Sequence, residues 1–381
     1  MIFIRNVPAH LAPGLDWVAA SCDAVSDDGF GVQLARFNPI GLAGARPGDP
    51  VYAGARDARE APAVRTLLDA LAADPGPGPV RVAGPVPWRR QPGLYREHAL
   101  FVTASADQAR EQLACGARVL IIGGEPTLGA VPELGAVPEL GAVPAAADAA
   151  AVREQIAALR ARPPLSLAEV LPVLREIFAA HATPVRLAAL ARLAGLGDHV
   201  IAGRRIAVLA QAADATEAAA LSAGLAGQRF LPAEVIVMAG APDAASAGLS
   251  ARAVTAALGD LADRGVNVRA VPVVTGGPDT AGVPGPASHP GPADLPAPAG
   301  WLRRAASMAR APWVVPWQAG REYHDTYLLD LACARECAQA DAAGYAGTGF
   351  AFTAALEPAL ARREYFSADE PGHGLRLFSV S

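Results

Sequence analysis

Two α/β units, each a parallel sheet flanked by helices, are what this sequence predicts. Three observations carry the expectation. The chain has 381 residues, more than one average domain uses. Apolar residues make up 52% and charged residues 18%, which excludes wholesale disorder. And two separate stretches alternate apolar strands with amphipathic helices, the pattern of parallel sheets joined by right-handed crossovers.

In the first stretch, DPVYAGA (49–55) reads as a short strand and APAVRTLLDALAAD (61–74) as a helix with apolar residues at helical spacing. PVRVAG (79–84) reads as a strand, and QPGLYREHALFVTAS (91–105) as a helix entry leading into a strand. DQAREQLACG (107–116) is a helix stopped at Gly116, and ARVLIIGG (117–124) is a strong strand. LGAVPELGAVPELGAVP (128–144) then repeats a six-residue unit three times. Three copies are too few to bury a core, so a duplicated, proline-punctuated loop is expected. Helices are expected at 145–161 and 166–196, separated by Pro163 and Pro164. GLGDHVIAGRR interrupts the pattern near 195–203, which divides the chain into 1–198 and 199–381.

The second stretch opens with the strand RRIAVLAQAAD (204–214), followed by a helix over 215–227 and the strand AEVIVMAG (233–240). A helix over 248–264 leads to the strand VNVRAVPVV (266–274). Residues 275–299 are saturated with glycine and proline and read as a loop or insertion. WLRRAASMAR (301–310) is a helix, APWVVPW (311–317) a strand and TYLLDLACARECAQAD (326–341) a helix. GYAGTGFAFT (344–353), REYF (363–366) and LRLFSV (375–380) read as edge strands.

Several function classes drop out. The net charge of −5 argues against nucleic-acid binding, whose footprint is a basic surface. All 32 basic residues are arginine, whose planar fork suits diphosphates and carboxylates. No uninterrupted apolar run is long enough to span a membrane, and MIFIRNVPAHLAPG lacks the pattern of an export signal. Cys22, Cys115, Cys333 and Cys337 are too scattered for a disulfide framework, so a reducing cytoplasm is expected. Cys333 and Cys337 stand one helical turn apart with no further ligand nearby and read as two buried thiols. GGEPTLG (123–129) follows a strand but lacks the spacing of a dinucleotide fingerprint.

The element order and three sequence pieces resemble known glycosyltransferases. LYREHALFVTAS (94–105), REQLACGARVLI (110–121) and His181-Ala182-Thr183 resemble the C-terminal lobe of GT-B, spore-maturation-like glycosyltransferases. That resemblance implies that Glu111 meets the nucleotide donor, for instance at ribose hydroxyls; a helix-capping or solvated-face carboxylate is the plainer alternative. Some 45 residues precede this stretch, too few for the family's N-terminal lobe. From 204 onward the chain resembles a divergent family 2, GT-A domain, chiefly in WVVPWQAGREYHDTYLLDLACARECAQADAAGY (313–345). Tyr323, Tyr327, Leu328, Asp330, Leu331 and Asp341 stand where the family has matching residues. The resemblance implies two Rossmann-like domains, the first GT-B-half-like and the second GT-A-like.

The departures bear on chemistry. Where the family has its metal-binding Asp-x-Asp, this chain reads Pro316-Trp317-Gln318-Ala319-Gly320, and where it has base-binding aspartates, Met238-Ala239-Gly240. Mg²⁺ and Mn²⁺ need hard oxygen ligands, so no conventional metal site and no cofactor is expected. Arg303, Arg304 and Arg321, with Trp317 and Gln318, are the candidate donor-binding residues, the arginines replacing part of the metal's charge. Glu322, His324 and Asp325 are the candidate general bases, and an N-cap for the helix that follows is the plainer reading, best suited by Asp325. His289 and His373 sit among glycines and prolines and read as loop residues.

Two functions follow as expectations. One is sugar transfer from a nucleotide-sugar donor to a cell-surface or secondary-metabolite acceptor, glycan or small molecule. The other is a degenerate, non-catalytic homologue that binds or scaffolds. A homo-oligomer fits either.

Overall fold

The computed structural model describes residues 31–40, 42, 46–53, 62–73, 79–84, 86–122, 145–146, 148–193, 199–240, 250–272, 299–339, 342–344 and 376–379. Cys22, the segment 123–129, the hexapeptide repeat, residues 275–298 with His289, Asp341, residues 345–353, REYF (363–366) and His373 lie outside the described residues. The chain divides into two compact units, Met1–Val200 and Ile201–Ser381.

Unit 1 is built from β1 (Val51–Tyr52), α1 (Pro62–Ala73), β2 (Arg81–Val82), α2 (Gln91–Glu97), β3 (Leu100–Thr103), α3 (Ala106–Ala114), β4 (Arg118–Ile122), β5 (Ala145–Ala146), α4 (Ala149–Arg160), α5 (Leu167–Glu176) and α6 (Thr183–Leu193). Its strands run in the order β2-β1-β3-β4-β5, all parallel. β1 and β2 are shorter than the apolar runs that predict them. Proline at 50 has no N–H to donate to a ladder, and Gly84 takes φ +72° just beyond β2.

Alternation along the strands sorts the core into two layers. Tyr52, Leu100, Val102, Leu120 and Ile122 pack on one face with Val64, Leu67, Leu68 and Leu71 of α1 and Val152, Ile156 and Leu159 of α4. Phe101 takes the other face, edge-on to Tyr95 of α2 at 5.2 Å, with Phe37 5.8 Å from the same tyrosine. At about 2 kcal/mol for each fully buried aliphatic side chain, these layers account for the unit's cohesion.

Two helical expectations are corrected here. The helix expected from 145 starts at 149, because the Asp148 carboxylate accepts the Ala151 N–H at 2.8 Å and caps it. Ala145–Ala146 instead extend the sheet. The helix expected over 166–196 breaks at a π-turn, Ile177–His181, followed by extended Ala182, which bridges Val32. Pro184 has no N–H to continue the earlier ladder, so it sits in the first turn of a new helix.

A 3₁₀ turn, His199–Arg204, spans the division, and unit 2 continues through β6 (Ile206–Ala212), α7 (Ala215–Ala226), β7 (Glu234–Ala239), α8 (Ala251–Ala257), α9 (Gly259–Asp263), β8 (Asn267–Pro272), α10 (Ala299–Ser307), β9 (Trp313–Trp317), α11 (Tyr327–Ala338), β10 (Ala342–Gly344) and β11 (Arg376–Ser379). The sheet order is β10-β11-β9-β6-β7-β8. β9, β6, β7 and β8 are parallel, whereas β11 is antiparallel to both its neighbours. The sheet is therefore mixed, and the strand at 375–380, expected at an edge, sits between β9 and β10. The helix expected over 248–264 divides at Leu258, ahead of Gly259, a residue that weakens helix interiors.

Two buried ion pairs fasten this unit. Glu234 at the start of β7 is 2% exposed; its carboxylate accepts from Arg269 at 2.7 Å and from the backbone N–H groups of Arg310 and Ala311. Arg204 grips Glu336 of α11 through two bonds of 2.7 and 2.6 Å. No helix among the described residues is long and apolar enough to cross a membrane.

Candidate functional site

The strand orders say where a ligand would sit. In an open α/β sheet the crevice lies beyond the carboxyl ends of the two strands between which the chain reverses direction. In unit 2 the chain runs β6, β7, β8 to one side and then returns to place β9 on the other side of β6. The crevice of unit 2 therefore opens beyond Ala212 of β6 and Trp317 of β9.

Trp317 closes that place. It is 3% exposed, and a Cβ built on Gly224 of α7 would meet the indole at 3.4 Å, so the glycine makes room for the ring. Tyr323 stacks on the indole at 3.9 Å between centroids, and Tyr327 meets it edge-on at 5.8 Å. Tyr323 and Tyr327 are 4.7 Å apart, completing a cluster of three rings. Burial pushes both tyrosine hydroxyls above their ordinary values. The Gln318 N–H donates to the Tyr323 hydroxyl at 3.1 Å, folding the segment after β9 back onto the cluster. Gly320 turns the chain between these two residues at φ +74°, a conformation that a residue without a Cβ adopts at little cost.

Beyond the rings the segment faces solvent. Gln318, Arg321, Glu322, His324 and Asp325 are exposed, and the Arg321 guanidinium lies 5.8 Å from the Tyr323 ring centre. Buried Gln228 fixes the backbone: its amide donates to the His324 carbonyl at 2.7 Å and accepts from the Leu328 N–H at 3.1 Å. The Arg229 N–H adds a bond to the Asp325 carbonyl at 2.8 Å. Among the described residues, the side chains of Glu322, His324 and Asp325 make no hydrogen bond or ion pair. Asp325 does not cap α11: Thr326 occupies the cap position, and its hydroxyl donates to Asp330 instead.

Residues 303 and 304 stand midway along α10, the crossover helix that precedes β9, rather than on the segment that follows Trp317. Arg304 is exposed. Among the described residues no three His, Cys, Asp or Glu side chains converge as a metal site would require. Cys333 and Cys337 are buried on α11, and Cys333 is hydrogen-bonded to Cys337, which with burial pushes its thiol up.

In unit 1 the reversal falls between β1 and β3, whose order 2-1-3-4-5 is that of a doubly wound sheet. α3 starts directly beyond β3, with the Ser105 hydroxyl accepting the Gln108 N–H as its cap. Glu111 lies on the second turn of α3. It neither caps the helix nor faces open solvent. Burial pushes its carboxyl up to about 8, Asp107 one turn earlier adds to the rise, and Arg36 opposes it. At neutral pH Glu111 is therefore mostly a neutral acid.

Two residues outside the sequence expectations belong to this corner. The Arg36 guanidinium carbon lies 3.5 Å from the centre of the Trp88 ring, and Trp88 is 48% exposed. Asp107 is paired with Arg110 at 3.0 Å. A signal for Trp88 is present in PVPWRRQPG (85–93), an aromatic beside two arginines between prolines. No sequence signal places Arg36 beside it, because residues 36 and 88 meet only through the fold. No protein-family model matches the chain, and no curated protein matches it.

Proposed function

We propose that this chain is a glycosyltransferase-like protein that has lost metal-assisted sugar transfer in its second, GT-A-like unit and acts as a binding or scaffolding protein. The observation that carries the reading is buried Trp317 at the carboxyl end of β9. A departing sugar diphosphate needs space and compensating charge at that point, and the chain supplies a packed aromatic cluster instead. Removing one good electrostatic partner from such a transition state typically costs about 3–4 kcal/mol. Positions 303 and 304 lie midway along the preceding crossover helix, not on the segment that follows β9. Arg321 is close but exposed, where a charge is worth least.

An active transferase is the second reading. It rests on exposed Glu322, His324 and Asp325, whose side chains have no partner among the described residues and so are open to an acceptor hydroxyl. The experiment that separates the two incubates the full chain with UDP- and GDP-sugars, with and without Mn²⁺, and follows both thermal melting and sugar release. The proposed reading expects no manganese-dependent sugar release or transfer. Manganese-dependent turnover would establish the second reading and end the first.

A further inference from the structure

We propose that unit 1 carries a binding site for a small planar anion, a ring with a negative charge beside it, on a shelf made by Trp88 and Arg36. The inference is independent of how the second unit is read. The site's place follows from topology. β2 lies on one side of β1 and β3 on the other, so the connection between them, of which 83–84 and 86–90 are described, crosses the carboxyl end of β1 on its way to α2. α3 begins at the carboxyl end of β3. Trp88 and the first turn of α3 thus flank the crevice where ligands of such sheets bind.

The chemistry follows from three contacts. Arg36 covers one side of the Trp88 indole at 3.5 Å, and nearly half of that residue stays exposed, leaving the other side for a second flat group. The Arg36 guanidinium makes no hydrogen bond or ion pair among the described residues, and its Nε is buried without a partner. Glu111, a carboxyl on which the arginine's charge acts, is held mostly neutral by burial and so offsets little of that charge. Asp107 does not fill the gap, because it is engaged by Arg110 at 3.0 Å. Exposed Arg89 and Arg90, which follow Trp88 directly in the chain, add positive charge beside it in a chain whose net charge is negative. A neutral ring uses half of this arrangement and a bare anion the other half. A planar anion uses both.

Two sources offer that chemistry, a nucleoside phosphate and an aromatic carboxylic acid. The test titrates the full chain calorimetrically with uridine monophosphate, with benzoate, with uridine and with inorganic phosphate, in the wild type, Trp88→Ala and Arg36→Gln. Both substituted residues lie at the surface or half-buried, and circular dichroism checks that each variant folds. The proposal expects at least one of the two planar anions to bind more tightly than uridine or phosphate, weakened about fivefold or more by each substitution. Which planar anion binds identifies the source. Binding that is equal for phosphate and for the nucleotide, or unchanged by Trp88→Ala, or absent for both planar anions, overturns the proposal.

Discussion

Glu111→Gln should stabilise the protein, and increasingly so as the pH rises. The carboxyl titrates at about 8 in the folded chain against an ordinary value of 4.5. Folded protein therefore holds a proton that the unfolded chain has lost across this window, and stability falls as pH climbs from the lower value to the higher. The slope is about 1.4 kcal/mol per pH unit, and the full window corresponds to about 5 kcal/mol as an upper bound. Partial solvent contact at Glu111 reduces this, and about 2 kcal/mol between about pH 5 and about pH 9 is the working expectation. The groups that face the carboxyl are Asp107 on its own helix, Arg36 from the preceding segment and the Tyr95 hydroxyl of α2, which burial pushes well above its ordinary value. Glutamine keeps the shape and cannot ionise. The assay is urea unfolding of wild type and variant at several pH values, using only the difference between the two proteins, which cancels every other titrating group. Parallel curves across the whole range would refute the placement of Glu111 in a desolvated setting.

Three further outcomes follow from the geometry. Trp317→Ala should cost about 3–5 kcal/mol, read by urea unfolding, because it empties a packed cluster; a loss below about 1 kcal/mol would mean that the ring does not fill the crevice. Glu234→Ala should cost about 2–4 kcal/mol, since it leaves the Arg310 and Ala311 N–H groups without their acceptor and takes from Arg269 its carboxylate partner; a neutral effect would contradict the bonding described. Gly31→Ala should lower the melting temperature measurably, because the added Cβ would run into the His181 carbonyl oxygen at a φ of +76°; an unchanged melting temperature would show that this contact is looser than its geometry indicates.

Periodicity and turn chemistry make the α/β alternation legible. Strands such as β4 and β7 are runs of Val, Ile and Leu whose burial on both faces leaves few other roles for them. The stops are legible where the chain says so locally, as at Gly116, which takes φ +77° after α3. What escapes is decided at long range. The insertion of β11 between β9 and β10 depends on a pairing partner more than fifty residues away, which no local pattern records. Asp325, a candidate cap for α11, leaves that place to Thr326. Trp317 is visible in the sequence as a large aromatic residue at the end of a strand. That it packs against Gly224 requires the structure, because a glycine inside a helix looks the same whether it relieves a backbone or receives a ring.

The claim on which this account depends is that the crevice beyond β6 and β9 is filled by the chain itself. A crystal of the full chain soaked in manganese and UDP tests it directly. The account predicts the Trp317 indole in place against Gly224 and Tyr323, with no ion or diphosphate beyond the end of β9. An ion held there by clustered side-chain oxygens, with the indole displaced, would contradict it.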